Sequence, residues 1–213
     1  MKTSLLRSLW RLHLITPRGI VRLLNCFLHE GITMMAAVRF AARYHTHDCA
    51  VVSDNQHIDY QDFYALAQRL SYLLYHKYHL KSGQHVALFC RNHLVSALLL
   101  PALSRLGVHV RLLNTDLSSE QLAKLMSRPF ALFIYDEELI QADSLDDICP
   151  MVSCEALLES IKRQDAIEKV ALPYIKRGGN ISVMTGGSSG NYKEAARQTG
   201  IVQFLPPFFS LLR

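Results

Sequence analysis

The densest chemistry in this chain lies near its end, in "ISVMTGGSSGNYKEAARQ" (residues 181–198). Thr185, Gly186, Gly187, Ser188, Ser189, Gly190 and Lys193 fall within nine positions. Phosphate oxygens need hydrogen-bond donors at close range. Glycines let backbone N–H groups approach and allow positive φ, hydroxyls add donors, and a lysine adds a point charge. A strand, "ISVM", runs into the segment, which suits a ligand crevice at a sheet edge. The segment is not a Walker A loop, which needs glycine at position 191, where Asn191 stands. No early strand is followed by GxGxxG, so a dinucleotide fingerprint is absent as well. Composition alone leaves a plain surface loop as the competing reading.

Other reactive residues are less well arranged. The five cysteines, Cys26, Cys49, Cys90, Cys149 and Cys154, form no CxxC pair. Cys90 closes the apolar run "HVALFC" and reads as a small core residue. Neither a disulfide framework nor a zinc site is expected. His45 with His47, and His76 with His79, have no carboxylate or cysteine spaced to join them, so no metal ligands are assigned. No Ser–His–Asp set can be picked out by spacing.

The elements that would position the glycine segment are legible in the apolar pattern. "CAVVSD" (residues 49–54) and "HIDY" (residues 57–60) flank a polar turn and predict a hairpin. Asp59 is the expected N-cap of a helix bearing Phe63, Leu66, Leu70, Leu73 and Leu74 at helical spacing. "HVALFC" reads as a buried parallel strand. A helix containing Pro101 follows and stops at Gly107. "VHVRLLN" (residues 108–114) is the next strand, and Ser118 with Gln121 makes a capping box for a short helix. "FALFIYD" (residues 130–136) is a third strand. Alternating strands and helices predict right-handed crossovers and a parallel sheet. Between residues 137 and 179 only one helix, "CEALLESIKRQ", and a turn, "YIKRGGN", stand out.

The formal charge of +5 sits at one end. Residues 1–50 carry seven Lys/Arg against two Asp/Glu, and the remainder is balanced. That placement argues against a nucleic-acid binder, whose basic residues form a patch on the folded domain. Arg7, Arg11, Arg18 and Arg22 interrupt every apolar run of the first thirty residues, so neither a secretory signal nor a spanning helix is expected there. One or two amphipathic basic helices, broken near Thr16 and Pro17, are expected. They would either pack on the domain or rest on an anionic membrane surface with Trp10 and the leucines inward. A reducing, cytoplasmic setting is expected, peripheral to a membrane if the arm binds one.

"VMTGGSSGNYK" resembles the phosphate-binding signature of the AMP-forming adenylating enzymes, the acyl-CoA synthetases among them. Thr185 to Gly190 and Lys193 match it position by position, while Tyr192 and Glu194 stand where the family usually has proline and glycine. The preceding chain is similar to that family's N-terminal part: "DYQDF", "GQHVALF", "RNHLVSALLL", "GVHVRLLN", "SSEQL" and "FALFIYDEEL" follow its order. The basic arm is most like the fatty acyl-CoA synthetase branch. The resemblance implies an α/β fold, the N-terminal part of the adenylate-forming large domain, with a parallel sheet, helices on both faces and a preceding basic helical arm. It implies residues 1–47 as the arm and 48–213 as an incomplete AMP-binding domain. It also implies ATP and Mg2+, coenzyme A as co-substrate and a carboxylic acid, a fatty acid by the branch resemblance.

In that family an acyl-adenylate forms first and a thioester second. Thr185, Ser188, Ser189 and Lys193 would hold the phosphates that leave. The family's catalytic residues, its magnesium ligand and its lid come later than "FLPPFFSLLR". No catalytic residue is therefore assigned, the chain is expected to be the front portion of such a ligase, and by itself it is expected not to adenylate acids. The alternatives are a non-catalytic nucleotide-binding or membrane-associated module, and an unrelated phosphate-binding α/β domain.

Overall fold

A computed structural model describes residues 16–53, 56–118, 120–122, 129–140, 149–163, 171–185 and 193–197. The chain opens with α1 (Pro17–Glu30) and α2 (Met34–Tyr44), then a hairpin of β1 (Cys49–Ser53) and β2 (Gln56–Asp59). The helix α3 (Tyr60–His76) follows, then β3 (His85–Phe89), α4 (Leu94–Arg105), β4 (His109–Leu112), β5 (Leu132–Tyr135) and β6 (Met151–Ser153). The last elements are α5 (Cys154–Arg163), β7 (Ile181–Thr185) and β8 (Lys193–Arg197).

Six strands form one sheet in the order β6-β5-β3-β4-β7-β8. The first five are parallel and β8 is antiparallel to β7. The expected parallel α/β architecture is the observed one. Strand alternation divides the core between two faces. Val86 and Leu88 of β3, Leu132 and Ile134 of β5, Val110 and Val152 point into one cluster with Leu70 and Leu74 of α3, Leu98 and Leu99 of α4, and Leu157 and Ile161 of α5. Ala87, Phe89 and Phe133 point the other way, onto Leu113, Leu122 and Phe130. The connection between β4 and β5 covers that second face. Its start carries the expected capping box: the Ser118 amide donates to Gln121 Oε1 (3.1 Å), and the Gln121 amide to Ser118 Oγ (3.3 Å).

Helix ends follow local chemistry. Asp59 Oδ1 accepts the Asp62 amide at 2.8 Å, so the predicted cap of α3 is in place. The cap of α4 is His93, whose Nδ1 accepts the Val95 amide at 3.1 Å. Gly107, past the end of α4, has φ +70°, the left-handed stop expected there. Pro101 lies inside α4. The strand β6 was not anticipated: three residues after Pro150 carry too little pattern to read.

The predicted break at Thr16 and Pro17 is the start of α1, where Thr16 Oγ1 accepts the Gly19 amide at 3.1 Å. Residues 1–15, Trp10 among them, lie outside the described residues. The two arm helices pack together through Cys26, Ala36 and Phe40, and α2 places Met35 and Val38 in the main core. A buried carboxylate fastens them. Glu30 accepts hydrogen bonds from Arg39 Nη1 (2.8 Å), Tyr64 Oη (2.7 Å) and Arg105 Nε (2.7 Å). Gly31, φ +69°, turns the chain where a Cβ would stand 1.8 Å from the Ile175 carbonyl oxygen. Ile32 then bridges Arg177. Among the described residues no helix is long and apolar enough to cross a membrane.

Candidate functional site

The glycine segment is the connection of a β-hairpin. Thr185 is the last residue of β7, Lys193 is the first of β8, and the two are register partners. Residues 186–192 join them, so Gly186, Gly187, Ser188, Ser189 and Gly190 lie outside the described residues, as does Tyr192. The sheet thus brings the two ends of the predicted set, Thr185 and Lys193, side by side.

The position of that pair in the sheet matters. Leu112 of β4 pairs with Val183 of β7, so the segment departs at the C-terminal ends of the parallel strands. Open α/β sheets bind ligands at that edge, where neighbouring connections diverge. In this sheet the chain leaves β3 toward β4, and leaves β5 toward β6 in the opposite direction. The divergence opens a crevice at the ends of β3 and β5.

A cleft of about 490 Å³ lies on this edge, lined by Val51 of the hairpin, Leu88 and Cys90 at the end of β3, Asn92, His93 and Leu112. Its walls are largely apolar, with a few polar groups at the mouth. Beside it, Asp136 is buried at the end of β5. Its Oδ2 accepts the Arg91 amide (2.6 Å), and its Oδ1 lies 2.8 Å from His93 Nε2. Burial pushes the Asp136 carboxyl up, but the Arg91 amide and the His93 ring outweigh it and hold the group below the ordinary carboxylate range. Sequence reasoning used Asp136 only as a strand end. Its partners lie more than forty positions earlier, and no local spacing could have joined them.

The sequence model of the AMP-binding enzyme family matches residues 38–190, more than half of the chain. No curated protein sequence matches it. Solved structures with the same fold include the o-succinylbenzoate CoA synthetase of Bacillus subtilis in complex with its acyl-adenylate intermediate. The TM-score is 0.64 at 19% identity, over 82% of this chain and 45% of that one. A fatty acyl CoA synthetase of Mycobacterium tuberculosis superposes with a TM-score of 0.63 at 20% identity, over 78% of this chain and 34% of that one. The N-terminal subdomain of NpsA from Klebsiella oxytoca gives 0.62 at 15% identity, over 80% and 42%. The chain therefore spans less than half the length of each of these structures. Family model and sheet topology agree, and the protein belongs to the AMP-binding enzyme family.

Proposed function

We propose that this chain is the nucleotide-phosphate-binding front portion of an ATP-dependent acid–CoA ligase. The observation that carries the proposal is the hairpin frame: Thr185 paired with Lys193 across a glycine-rich connection, at the C-terminal edge of a parallel sheet. In the proposed reaction a carboxylate oxygen attacks the α-phosphorus of ATP and pyrophosphate leaves. The thiol of coenzyme A then attacks the acyl carbon and AMP leaves. The backbone amides of Gly186, Gly187 and Gly190, the hydroxyls of Thr185, Ser188 and Ser189, and the Lys193 ammonium would hold the β- and γ-phosphates. Their part is positioning and charge stabilisation, with no proton transfer. ATP enters such a reaction with Mg2+, whose ligands we do not place in this chain. A fatty acid is the proposed acid, on the strength of the basic arm.

The chain covers 45% and 34% of the length of two of the solved structures that share its fold. Residues 1–213 by themselves are accordingly proposed to bind nucleotide without turnover. Calorimetric titration of the chain with MgATP tests the binding, and ATP–pyrophosphate exchange with a panel of fatty acids tests the turnover. Lys193→Ala is expected to weaken ATP about tenfold or more, the scale of one charge-assisted phosphate contact. Unchanged affinity in that variant would favour an unrelated phosphate-binding or structural role.

One surface supports a second proposal, contact with an anionic membrane at the cytoplasmic face. On α1, Ile20, Val21, Leu24 and Leu28 are exposed, Val21 by 65% and Leu28 by 75%, and Arg18 and Arg22 lie on the same helix. An apolar stripe beside basic residues is the pattern of a helix lying in a lipid interface. The chain should sediment with vesicles rich in phosphatidylserine and much less with pure phosphatidylcholine. Leu24→Asp combined with Leu28→Asp should abolish sedimentation. Equal recovery with both vesicle types, or with neither, would contradict it.

A further inference from the structure

Three potential ligands converge at the crevice between β3 and β5. Cys90 follows β3, Asp136 follows β5, and Cys154 follows β6 as the first residue of α5. Their ligand atoms lie within 4.8 Å of one another. The two sulfurs are 3.2 Å apart, and Cys90 Sγ is also 3.5 Å from the Ile134 carbonyl oxygen. Cys154 and Asp136 are buried, at 1% and 4% exposure, whereas Cys90 is half-buried and lines the cleft, which supplies an entry path.

We propose that Cys90, Cys154 and Asp136 form a binding site for a thiophilic divalent cation of the Zn2+ class, with a water from the cleft as fourth ligand. Two thiolates and one carboxylate are a donor set that suits zinc and its neighbours in preference to Mg2+ or Ca2+. A tetrahedral centre with Zn–S bonds of about 2.3 Å holds its sulfurs about 3.8 Å apart. The observed pair needs to open by roughly half an ångström, a rotamer-scale adjustment at the half-buried Cys90. The carboxylate is ionised and already oriented: the Arg91 amide and His93 Nε2 hold its two oxygens. His93 is itself fixed, because its Nδ1 caps α4. A ligand carboxylate held by outer partners is the arrangement metal sites require. Cys154 Sγ faces Cys90 Sγ across 3.2 Å, so the two sulfurs already share one side of the site. Each thiol that becomes a metal–thiolate bond gives up its proton to solvent on binding. The bound ion would tie the ends of β3, β5 and β6 together at the point where the sheet's connections diverge.

Cobalt(II) is the direct probe. The whole chain, reduced with a phosphine, is titrated with Co2+ and then with Zn2+. One equivalent of Co2+ should produce thiolate-to-metal charge-transfer absorption, and Zn2+ should erase it. Cys90→Ser and Cys154→Ser should each weaken binding by more than the about 10–100-fold that loss of an outer partner costs. Cys49→Ser and Cys149→Ser, which alter other cysteines, should leave the band intact. If a serine variant does not fold, zinc-edge X-ray absorption on the unaltered protein decides, with two sulfur neighbours expected. Absence of the band at one equivalent, a band that survives loss of both Cys90 and Cys154, no sulfur at the zinc edge, or a Cys90–Cys154 disulfide in place of metal uptake would each overturn the site.

Discussion

At the scale of single residues, Glu30 is a buried carboxylate held by three hydrogen-bond donors. Burial pushes its carboxyl up, but the hydrogen bonds from Tyr64 and Arg39 and the charge of Arg105 outweigh burial and hold it below its ordinary value of 4.5. Tyr64 shifts the opposite way, raised by burial and by donating to Glu30. Removing the carboxylate leaves two guanidinium groups facing each other with little solvent. Glu30→Ala should therefore cost about 3–5 kcal/mol in chemical denaturation, the scale of breaking a buried ion pair. A depressed carboxyl stabilises the fold above its unfolded pKa and loses that contribution as pH falls through the folded one. The melting-temperature gap between the native protein and Glu30→Gln should be widest near pH 6 and should narrow as pH falls below 4.5. A gap that stays constant or widens toward acid would contradict the network. None of this was legible in the sequence, since the partners of Glu30 are 9, 34 and 75 positions away. The same holds for Cys90. It read as a core residue because it ends an apolar run, and it does pack against the main core, but its contacts with a second thiol at the start of α5 and a peptide carbonyl of β5 could not be read.

At the scale of elements, local pattern and structure agree wherever burial and capping act within one segment. The runs "HVALF" and "LFIY" are buried strands because both their faces are covered, so a continuous apolar stretch is what such a strand requires. The cap at Asp59 and the box at Ser118 are short-range hydrogen bonds and could be read directly. Asp59→Ala should lower stability by about 1 kcal/mol through loss of the α3 cap, measurable by thermal denaturation. No change in stability would mean that the 2.8 Å bond to the Asp62 amide contributes nothing. Between residues 137 and 179 the reading thinned, and over residues 173–178 the reason is that the chain is held by contacts from elsewhere. Tyr174 Oη donates to the Phe27 carbonyl, the Pro173 carbonyl accepts from Arg105, and Lys176 and Gly178 pair with Ile32. Such a segment takes its path from the arm helices and needs no apolar period of its own.

At the scale of the whole molecule, the sheet order decides where chemistry can occur. The end of β7 at Thr185, the cleft between β3 and β4, and the cysteine–aspartate cluster beside β3 and β5 all sit at the C-terminal edge of the parallel strands. The glycine segment could be singled out in the sequence because the proposed phosphate recognition by backbone amides calls for a local spacing of glycines and hydroxyls. The cleft and the cluster were not, because strand order, rather than spacing along the chain, assembles them. The central claim is that the connection between Thr185 and Lys193 grips a polyphosphate. Parallel calorimetric titrations of the chain with MgATP and with adenosine test it most directly. The account predicts heat from ATP at an affinity at least about tenfold above that for adenosine, the gain expected of charge-assisted phosphate contacts. Equal affinities, or no heat from ATP, would contradict it.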